Sequence, residues 1–293
     1  MSKMEGASAQ QDDGEPSNPG GADEPPKPPE VIAIAEPGRG DVILDVTFLT
    51  SKETLKAARK ALTATNRRLG KAAPNDPPKL SPKVRVAFLV DHKTLKARSK
   101  YFSILLGNTQ FSEARRVKDG LSALVARQLS LAKATPADLP WVAILDDDEA
   151  SREARREAIL EDLLRILHDK EVKTPGVTVS YVAALALLAD RFDCTATVSR
   201  GLTTHLKFRW PLTRAKPIAG AEDSSRGGSE TEQILRQKIL IAWLLDQPLR
   251  LHNSTRELIM RGSRKWGSAP DASRTPPWWD LPSGLEGESL DGT

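Results

Sequence analysis

Residues 84–113, VRVAFLVDHKTLKARSKYFSILLGNTQFSE, combine a strand pattern and a helical pattern within one short stretch. Apolar residues recur at every second position from Val84 to Val90, which predicts a strand with one apolar face. From His92 onward the apolar spacing lengthens to that of a helix. Ser99 precedes a second helical run, and its hydroxyl can accept hydrogen bonds from free backbone amides as an N-cap does. The stretch therefore predicts a strand followed by two short helices.

Two short motifs lie in this stretch, HKTL at 92–95 and SKYF at 99–102. A strand followed by His-x-x-Leu and Ser-x-Tyr-Phe resembles the signature of the BTB/POZ family, and residues 40–46 are similar to that family's first strand. The resemblance implies an α+β fold, a small sheet covered by a cluster of helices, whose role is to bind proteins. It also implies structural roles for five residues, Asp41, His92, Leu95, Ser99 and Phe102.

Further blocks extend the resemblance to the core of the chain, residues 40–210. They are a third strand with an acidic end at 141–148, a helix at 158–168 and a following helix at 182–192. In relatives the first of these helices ends in Tyr, where this chain has His168. The core is therefore expected to be one BTB/POZ-like domain.

The chain differs from the family's pattern by two insertions. Relatives join the first two strands by a tight turn, whereas residues 50–83 intervene here, which is too long for a hairpin loop. Thr50 and Glu53 have capping-box spacing and predict the start of a basic helix. Its expected apolar stripe consists of Leu55, Ala58, Leu62 and Leu69. Insertions of this kind resemble the fungal branch of the family.

The second insertion, residues 119–140, is expected to hold another apolar helix. The residues that predict it are Leu121, Leu124, Val125 and Leu129. A run of Pro, Thr and Asp at 134–140 then ends the helical pattern.

The two ends of the chain differ from the core in composition. Residues 1–39 are rich in Pro, Gly and acids, so they cannot bury enough apolar surface to offset the entropy of ordering and are predicted to be disordered. Residues 267–293 have similar composition and the same prediction. Between the core and that last segment, residues 211–230 read as a linker and 231–266 as a helical pair. The second half of its first helix is apolar nearly all round, so we expect the pair to dock on the core, with an exposed groove for a partner helix as the alternative.

The cysteine content and the hydropathy of the chain indicate in which cellular compartment it is expected. The single cysteine, Cys194, excludes an intrachain disulfide and suits a reducing environment. It ends an apolar helix, so buried packing is expected rather than reactivity. No apolar N-terminal segment resembles a signal peptide, and the longest apolar run, 182–189, is too short to span a bilayer. The chain is expected to be intracellular, in the cytoplasm or the nucleus, without membrane contact.

Catalytic and cofactor motifs give no support for an enzyme. The four histidines lie far apart in sequence without metal-ligand spacing, and no phosphate-binding glycine loop or nucleophile elbow occurs. Residues 146–149, DDDE, lack the spacing of a calcium loop and are interpreted as a solvated turn. His92 is interpreted as structural, since the sequence shows no partner for proton transfer. We therefore predict a non-enzymatic scaffold or adaptor with no cofactor and no metal.

The resemblance also suggests how partners bind. Relatives that recruit cullin-type ubiquitin ligases use an apolar-x-Glu motif, and Phe111 and Glu113 match it. These two residues are the candidate partner-binding residues, with packing of Phe111 in the core and helix capping by Glu113 as the alternative. Many dimeric relatives exchange a helix and strand that precede the first core strand. Pro-rich acidic sequence occupies that position here, so self-association without N-terminal strand exchange is expected.

The basic first insertion offers a different class of partner. Residues 51–85 carry ten Lys or Arg against two acids, a charge that could neutralise nucleic-acid phosphates without reading sequence. The insertion has no aromatic residue to stack on bases and no recognised DNA-binding motif. A nucleic-acid or chromatin-associated regulator is therefore the alternative to the interaction module.

Overall fold

The computed structural model describes residues 29–68, 80–213 and 224–261. Strands and helices alternate irregularly along the chain, which makes the fold α+β, as predicted. The strands are β1 (Val31–Ala33), β2 (Val42–Leu49), β3 (Lys83–Val90) and β4 (Trp141–Asp147). The helices are α1 (Lys52–Arg68), α2 (His92–Arg98), α3 (Lys100–Gly107), α4 (Ser112–Ala126), α5 (Arg156–Leu167), α6 (Val179–Arg191), α7 (Thr195–Thr204), α8 (Ser224–Leu244) and α9 (Pro248–Arg261).

The four strands form one mixed sheet in the order β1-β3-β2-β4. Strand β2 runs antiparallel to β3 and parallel to β4, so that Val46 lies opposite Val86 on one side and Ile144 on the other. Strand β1 adds parallel to the outer side of β3. The strands named β2, β3 and β4 are the three that the sequence patterns predict.

The sheet has two differently covered faces. One face, including Leu44, Phe88 and Val142, packs into the main core with side chains of α2, α3, α5 and α6. The other face is smaller: Ile43 and Ala87 pack against Leu124 of α4. This division follows from the period of two along each strand, which sends alternate residues to opposite faces.

The stretch at 84–113 folds as its pattern predicts. The Ser99 hydroxyl accepts a hydrogen bond from the Phe102 amide at 3.0 Å, which caps α3, and donates one to the Phe192 carbonyl at 2.6 Å. Phe102 is fully buried, and its ring stacks on that of Phe192 with centroids 5.3 Å apart. Leu95 of α2 is also fully buried. These residues fix two short helices against α6 and the sheet.

The predicted disorder of residues 1–39 is wrong at its end. Residues 31–33 form β1, and the amide of Ile34 donates to the Leu89 carbonyl at 2.9 Å while its side chain is fully buried. Averaging composition over 1–39 hid the short apolar run at 31–35 among prolines and acids. The segment before the first core strand thus contains a strand that pairs within its own chain. Residues 1–28 lie outside the described part.

The first insertion forms a helix, but its cap differs from the prediction. Ser51, rather than Thr50, is the N-cap, because its hydroxyl accepts from the Thr54 amide at 3.2 Å. Thr50 is buried, and its amide donates to the Pro82 carbonyl where the insertion returns to the sheet. The predicted stripe is correct at Leu55, which is buried, and its last member lies among residues 69–79, outside the described part.

The second predicted helix begins seven residues before residue 119, at Ser112, so nearly half of α4 precedes residues 119–140. Leu124 is buried as predicted. Val125 is 77% exposed, because the helix turns it away from the sheet. Leu129 lies beyond the end of the helix.

The helical pair docks on the core, as predicted. Leu240 and Ile241 of α8, and Leu245 directly after it, belong to the main core together with residues of α6 and α7. Pro248 is the first residue of α9, the position at which proline is favoured. The predicted linker 211–230 is too long at its end, since α8 begins at Ser224. Residues 214–223 and the predicted tail 267–293 lie outside the described part.

Asp146 corrects the prediction of a solvated acidic turn at 146–149. It lies on the core side of β4, where it pairs with Arg156, and each side chain is about 1% exposed. Arg156 Nε donates to Asp146 Oδ2 at 2.5 Å, and the same guanidinium donates to the carbonyls of Leu49 and Glu153, each at 2.7 Å. Arg191 Nη1 lies 3.0 Å from the other carboxylate oxygen. The buried pair therefore ties the ends of β2 and β4 to the start of α5.

None of the described helices is both long enough and apolar enough to cross a membrane.

Candidate interaction surface

Phe111 lies on the surface immediately before α4, at the N-cap position. It is 42% exposed, and its amide donates to the Asn108 carbonyl in the turn that joins α3 to α4. Glu113 follows in the first turn of α4, where a negative charge interacts favourably with the helix dipole. Its carboxylate accepts from the Ser112 hydroxyl at 3.0 Å. The two candidate binding residues thus lie two positions apart at the start of α4, with Phe111 partly exposed to solvent.

Helix α3 contributes an apolar neighbour to this region. Ile104 is 46% exposed and lies one turn before the α3–α4 connection, where its carbonyl accepts from the Asn108 amide. Tyr101, one turn earlier, is half-buried. Burial raises the pKa of its hydroxyl, the Arg191 charge opposes that shift and the Glu113 charge adds to it. Both charges therefore lie close to Tyr101.

Arg191 connects this region to the edge of the sheet. Its guanidinium lies within 3.4 Å of the Asp147 carboxylate and 3.3 Å of the Leu145 carbonyl on β4. The Leu145 side chain points away from the main core and is 61% exposed. We define the α3–α4 surface as Tyr101, Ile104, Phe111, Glu113 and Leu145. It places exposed apolar side chains beside a charged rim.

Sequence reasoning found two of these five residues. Phe111 and Glu113 could be predicted from a three-residue motif. Ile104 and Leu145 were not, because each lies in an apolar pattern that predicts burial. Their exposure depends on which side of α3 faces the sheet and on β4 being an edge strand.

The family-motif residues Asp41 and His92 form a close pair. His92 Nδ1 lies 2.6 Å from one oxygen of the Asp41 carboxylate, and the His92 amide donates to the other at 2.9 Å. His92 therefore has an acidic partner that the sequence does not show, and its contacts are in agreement with the structural role predicted for it. Both residues are largely buried where β2 begins and α2 begins, so the pair fixes the strand–helix junction.

Asp91 brings a second carboxylate near this pair. One donor atom from each of Asp41, Asp91 and His92 lies within 4.8 Å of the others, a spacing that could hold a metal ion. Asp91 is engaged as the N-cap of α2, accepting from the Lys93 amide and the Thr94 hydroxyl. Since the donors are already used in these bonds, the cluster is best explained as a structural junction.

His168 holds the same junction from the other side. Its Nδ1 lies 2.7 Å from the Leu164 carbonyl, which requires a proton on that nitrogen. Its Nε2 accepts a hydrogen bond from the Asp91 amide at 3.1 Å, which requires the ring to be neutral. Burial lowers the pKa of His168, in agreement with this neutral form.

We expect His168 to make the fold acid-sensitive. Because its folded-state pKa is lowered, the unfolded chain binds a proton first as the pH falls below about 6.5, and stability is lost from there downward. In urea unfolding measured from neutral to mildly acidic pH, His168→Gln should lose less stability on acidification than the parent. Burial raises the pKa of Glu153 to about 7, which gives a slope of opposite sign, but that slope is common to both proteins.

The control for this comparison is His252→Gln, since His252 is an exposed histidine on α9. It should keep the parent's pH dependence. If the free energy of unfolding falls equally with decreasing pH in the parent and in His168→Gln, His168 is not the acid-sensitive group.

Cys194 is buried, as the sequence predicts. Burial raises the pKa of its thiol to about 12, so the reactive thiolate is scarce at neutral pH. This residue acts as a small apolar side chain between α6 and α7.

No family model, curated protein or solved structure matches the chain. The interpretation of the α3–α4 surface therefore depends on the chain's own residues and their arrangement.

Proposed function

We propose that this chain is a non-enzymatic protein-interaction module of the BTB/POZ type. Its element order from β2 onward supports the proposal: two strands around an inserted helix, then the short pair α2 and α3 followed by α4, a further strand and two more helices. The motif residues also take structural positions, with Ser99 capping α3 and Asp41 bonded to His92.

The observation that carries the proposal is the exposure of Ile104 and Phe111 on either side of the α3–α4 connection, together with that of Leu145 on β4, the strand that Arg191 links to this region. Single exposed apolar residues are ordinary, but an aromatic and two branched aliphatic residues beside a charged rim resemble the centre of a binding interface. Aromatic anchors commonly supply much of the energy of such interfaces. The α3–α4 surface is therefore the proposed partner-binding site.

Charge substitutions on this surface test the proposal. The intact chain, immobilised and exposed to a native lysate, should retain a defined set of proteins. Ile104→Asp and Phe111→Asp should each lose that set, because a carboxylate in an apolar interface would be desolvated without a partner. Val125→Asp, at a more exposed apolar position on α4 outside the α3–α4 surface, is the control and should retain it. Equal retention by all four proteins would contradict the proposed site.

A substrate adaptor of a cullin-type ubiquitin ligase is a narrower form of the same proposal. The feature that favours it is the exposed Phe111 beside Glu113, the arrangement that the apolar-x-Glu motif implies. Phe111→Ala should weaken binding to a purified cullin by more than about 2 kcal/mol if the ring is an anchor. The same substitution should change the free energy of unfolding by no more than about 1 kcal/mol, since the ring is not in the core.

The two measurements together separate binding from folding. A folded parent that shows no affinity for the cullin would remove the adaptor role and leave the interaction module unaffected. A large loss of stability in Phe111→Ala would contradict the exposed position of the ring.

A further inference from the structure

A groove runs between α7, residues 206–213 and the α8–α9 pair. It consists of two cavities, of about 420 Å³ and 170 Å³, that share Trp210 and Arg250 in their linings. Ser199, Phe208 and Gln247 line the larger cavity, and Ser254 of α9 lines the smaller. We call this feature the Trp210 groove. It belongs to different elements from those that form the α3–α4 surface.

The larger cavity of the groove has an aromatic floor and cationic sides, while the smaller is also lined by the Lys238–Glu257 ion pair. The half-buried Trp210 ring packs edge-on against Phe208, with centroids 5.4 Å apart. The guanidinium carbon of Arg250 lies 5.6 Å from the centre of the Trp210 ring, in a cation–π arrangement. Arg209 is exposed beside it. Within the described residues neither Arg209 nor Arg250 forms an ion pair with an acid, so two positive charges face the groove.

These features suit a ligand that carries both an aromatic ring and a carboxylate. A flat ring can stack on Trp210, and Arg side chains form charge-assisted hydrogen bonds with carboxylates. The sequence beyond α9 contains such a ligand at residues 276–282, PPWWDLP. Residues 275–291 contain four acids and no Lys or Arg, which is complementary to the charge of the groove.

We propose that residues 276–282 of this chain bind in the Trp210 groove, with a tryptophan of the Trp278-Trp279 pair against Trp210 and the Asp280 carboxylate against Arg250. The segment would then occupy a site that a partner peptide of the same composition must compete for. Binding of this kind is autoinhibitory toward such a partner.

The length of the chain allows this return. Arg250 and Arg261 lie eleven residues apart on α9, a rise of about 17 Å. Trp278 is seventeen positions after Arg261, and a random-coil chain of seventeen residues has an r.m.s. end-to-end distance of about 20–25 Å. Effective concentration is highest when this length matches the distance to be spanned. The chain's own segment therefore has an advantage over a second copy or a separate peptide.

Paramagnetic broadening in the full chain tests the proposal. Asn253→Cys places a nitroxide label on the groove side of α9, and Cys194 remains unlabelled because it is buried with its thiol pKa raised to about 12. The indole N–H signals of Trp278 and Trp279 are assigned with Trp→Phe substitutions at each position. We expect the label to broaden both signals and chemical reduction of the label to restore them. Signals of equal intensity with the oxidised and the reduced label would overturn the proposal.

Charge variants establish that the contact is specific. Arg250→Glu and Arg250→Gln should each abolish the broadening, whereas Arg256→Glu should not, because Arg256 is exposed on the same helix but does not line the groove. Combining Arg250→Glu with Asp280→Arg should recover it. Equal effects of the substitutions at 250 and 256 would mean nonspecific attraction and overturn the proposal. In a mixture, the nitroxide is placed on one set of molecules and the isotope enrichment on another. Broadening of the Trp278 and Trp279 signals in this mixture would mean that the segment binds the groove of a second copy, and it would overturn the proposal.

Discussion

Arg156→Leu should lower the free energy of unfolding by about 3–5 kcal/mol, the usual cost of removing one partner of a buried ion pair. The substitution leaves the buried Asp146 carboxylate without its buried partner, with the partly exposed Arg191 guanidinium still 3.0 Å from Oδ1. It also removes the donors that satisfy the carbonyls of Leu49 and Glu153. Because these groups lie in β2, in β4 and in the loop before α5, we expect the loss of stability to appear as one cooperative shift of the urea midpoint.

Arg155→Leu is the matched control, since Arg155 is exposed and adjacent in sequence. Surface substitutions of this kind usually change stability by no more than about 0.5 kcal/mol. If the variants at 155 and 156 unfold at the same urea concentration, the buried pair with Asp146 does not exist in solution.

Phe102→Ala should also cost about 3–5 kcal/mol, because it removes a fully buried ring and leaves a cavity beside Phe192. The loss should be visible both in thermal unfolding and in resistance to proteolysis. It tests the position that the SKYF motif implies for α3.

Ile104→Ala is the control on the same helix. Its side chain is half exposed, so the substitution should leave the melting temperature close to that of the parent. A Phe102→Ala protein as stable as Ile104→Ala would place α3 with the wrong side toward the sheet.

Features that depend on neighbouring residues could be predicted from the sequence. The change from strand to helical period at residue 92 and the cap at Ser99 involve contacts within a few residues, and both are found in the structure. The order of the predicted strands and helices over 40–210 is also found. The capping prediction failed by one position, at Ser51, because adjacent Thr and Ser have equal capping chemistry and only the return of the chain at Pro82 decides between them.

Features that depend on long-range contacts could not be predicted. Strand β1 is three residues long, and it is stable only because β3 offers it an edge. Asp146 is indistinguishable in sequence from the acids that follow it. Its burial requires β4 to present that position to the core and α5 to bring Arg156 to it.

The candidate surface could be predicted only in part, because some of its features depend on long-range contacts. The short motif at 111–113 directed attention to the start of α4. The exposure of Ile104 and Leu145, which gives the surface its apolar area, follows from how α3 and β4 pack and has no local signal.

Hydrogen exchange on the isolated complex tests the proposed binding surface most directly. The partner is chosen as a protein that the parent retains and Phe111→Asp does not. Backbone amide exchange is then measured in the complex of this partner with the parent chain and is compared with exchange in the free chain. We expect exchange to slow in residues 100–113 and in β4, the elements that carry the α3–α4 surface. Slowing confined to other parts of the chain, with exchange in residues 100–113 unchanged, would contradict the proposed site.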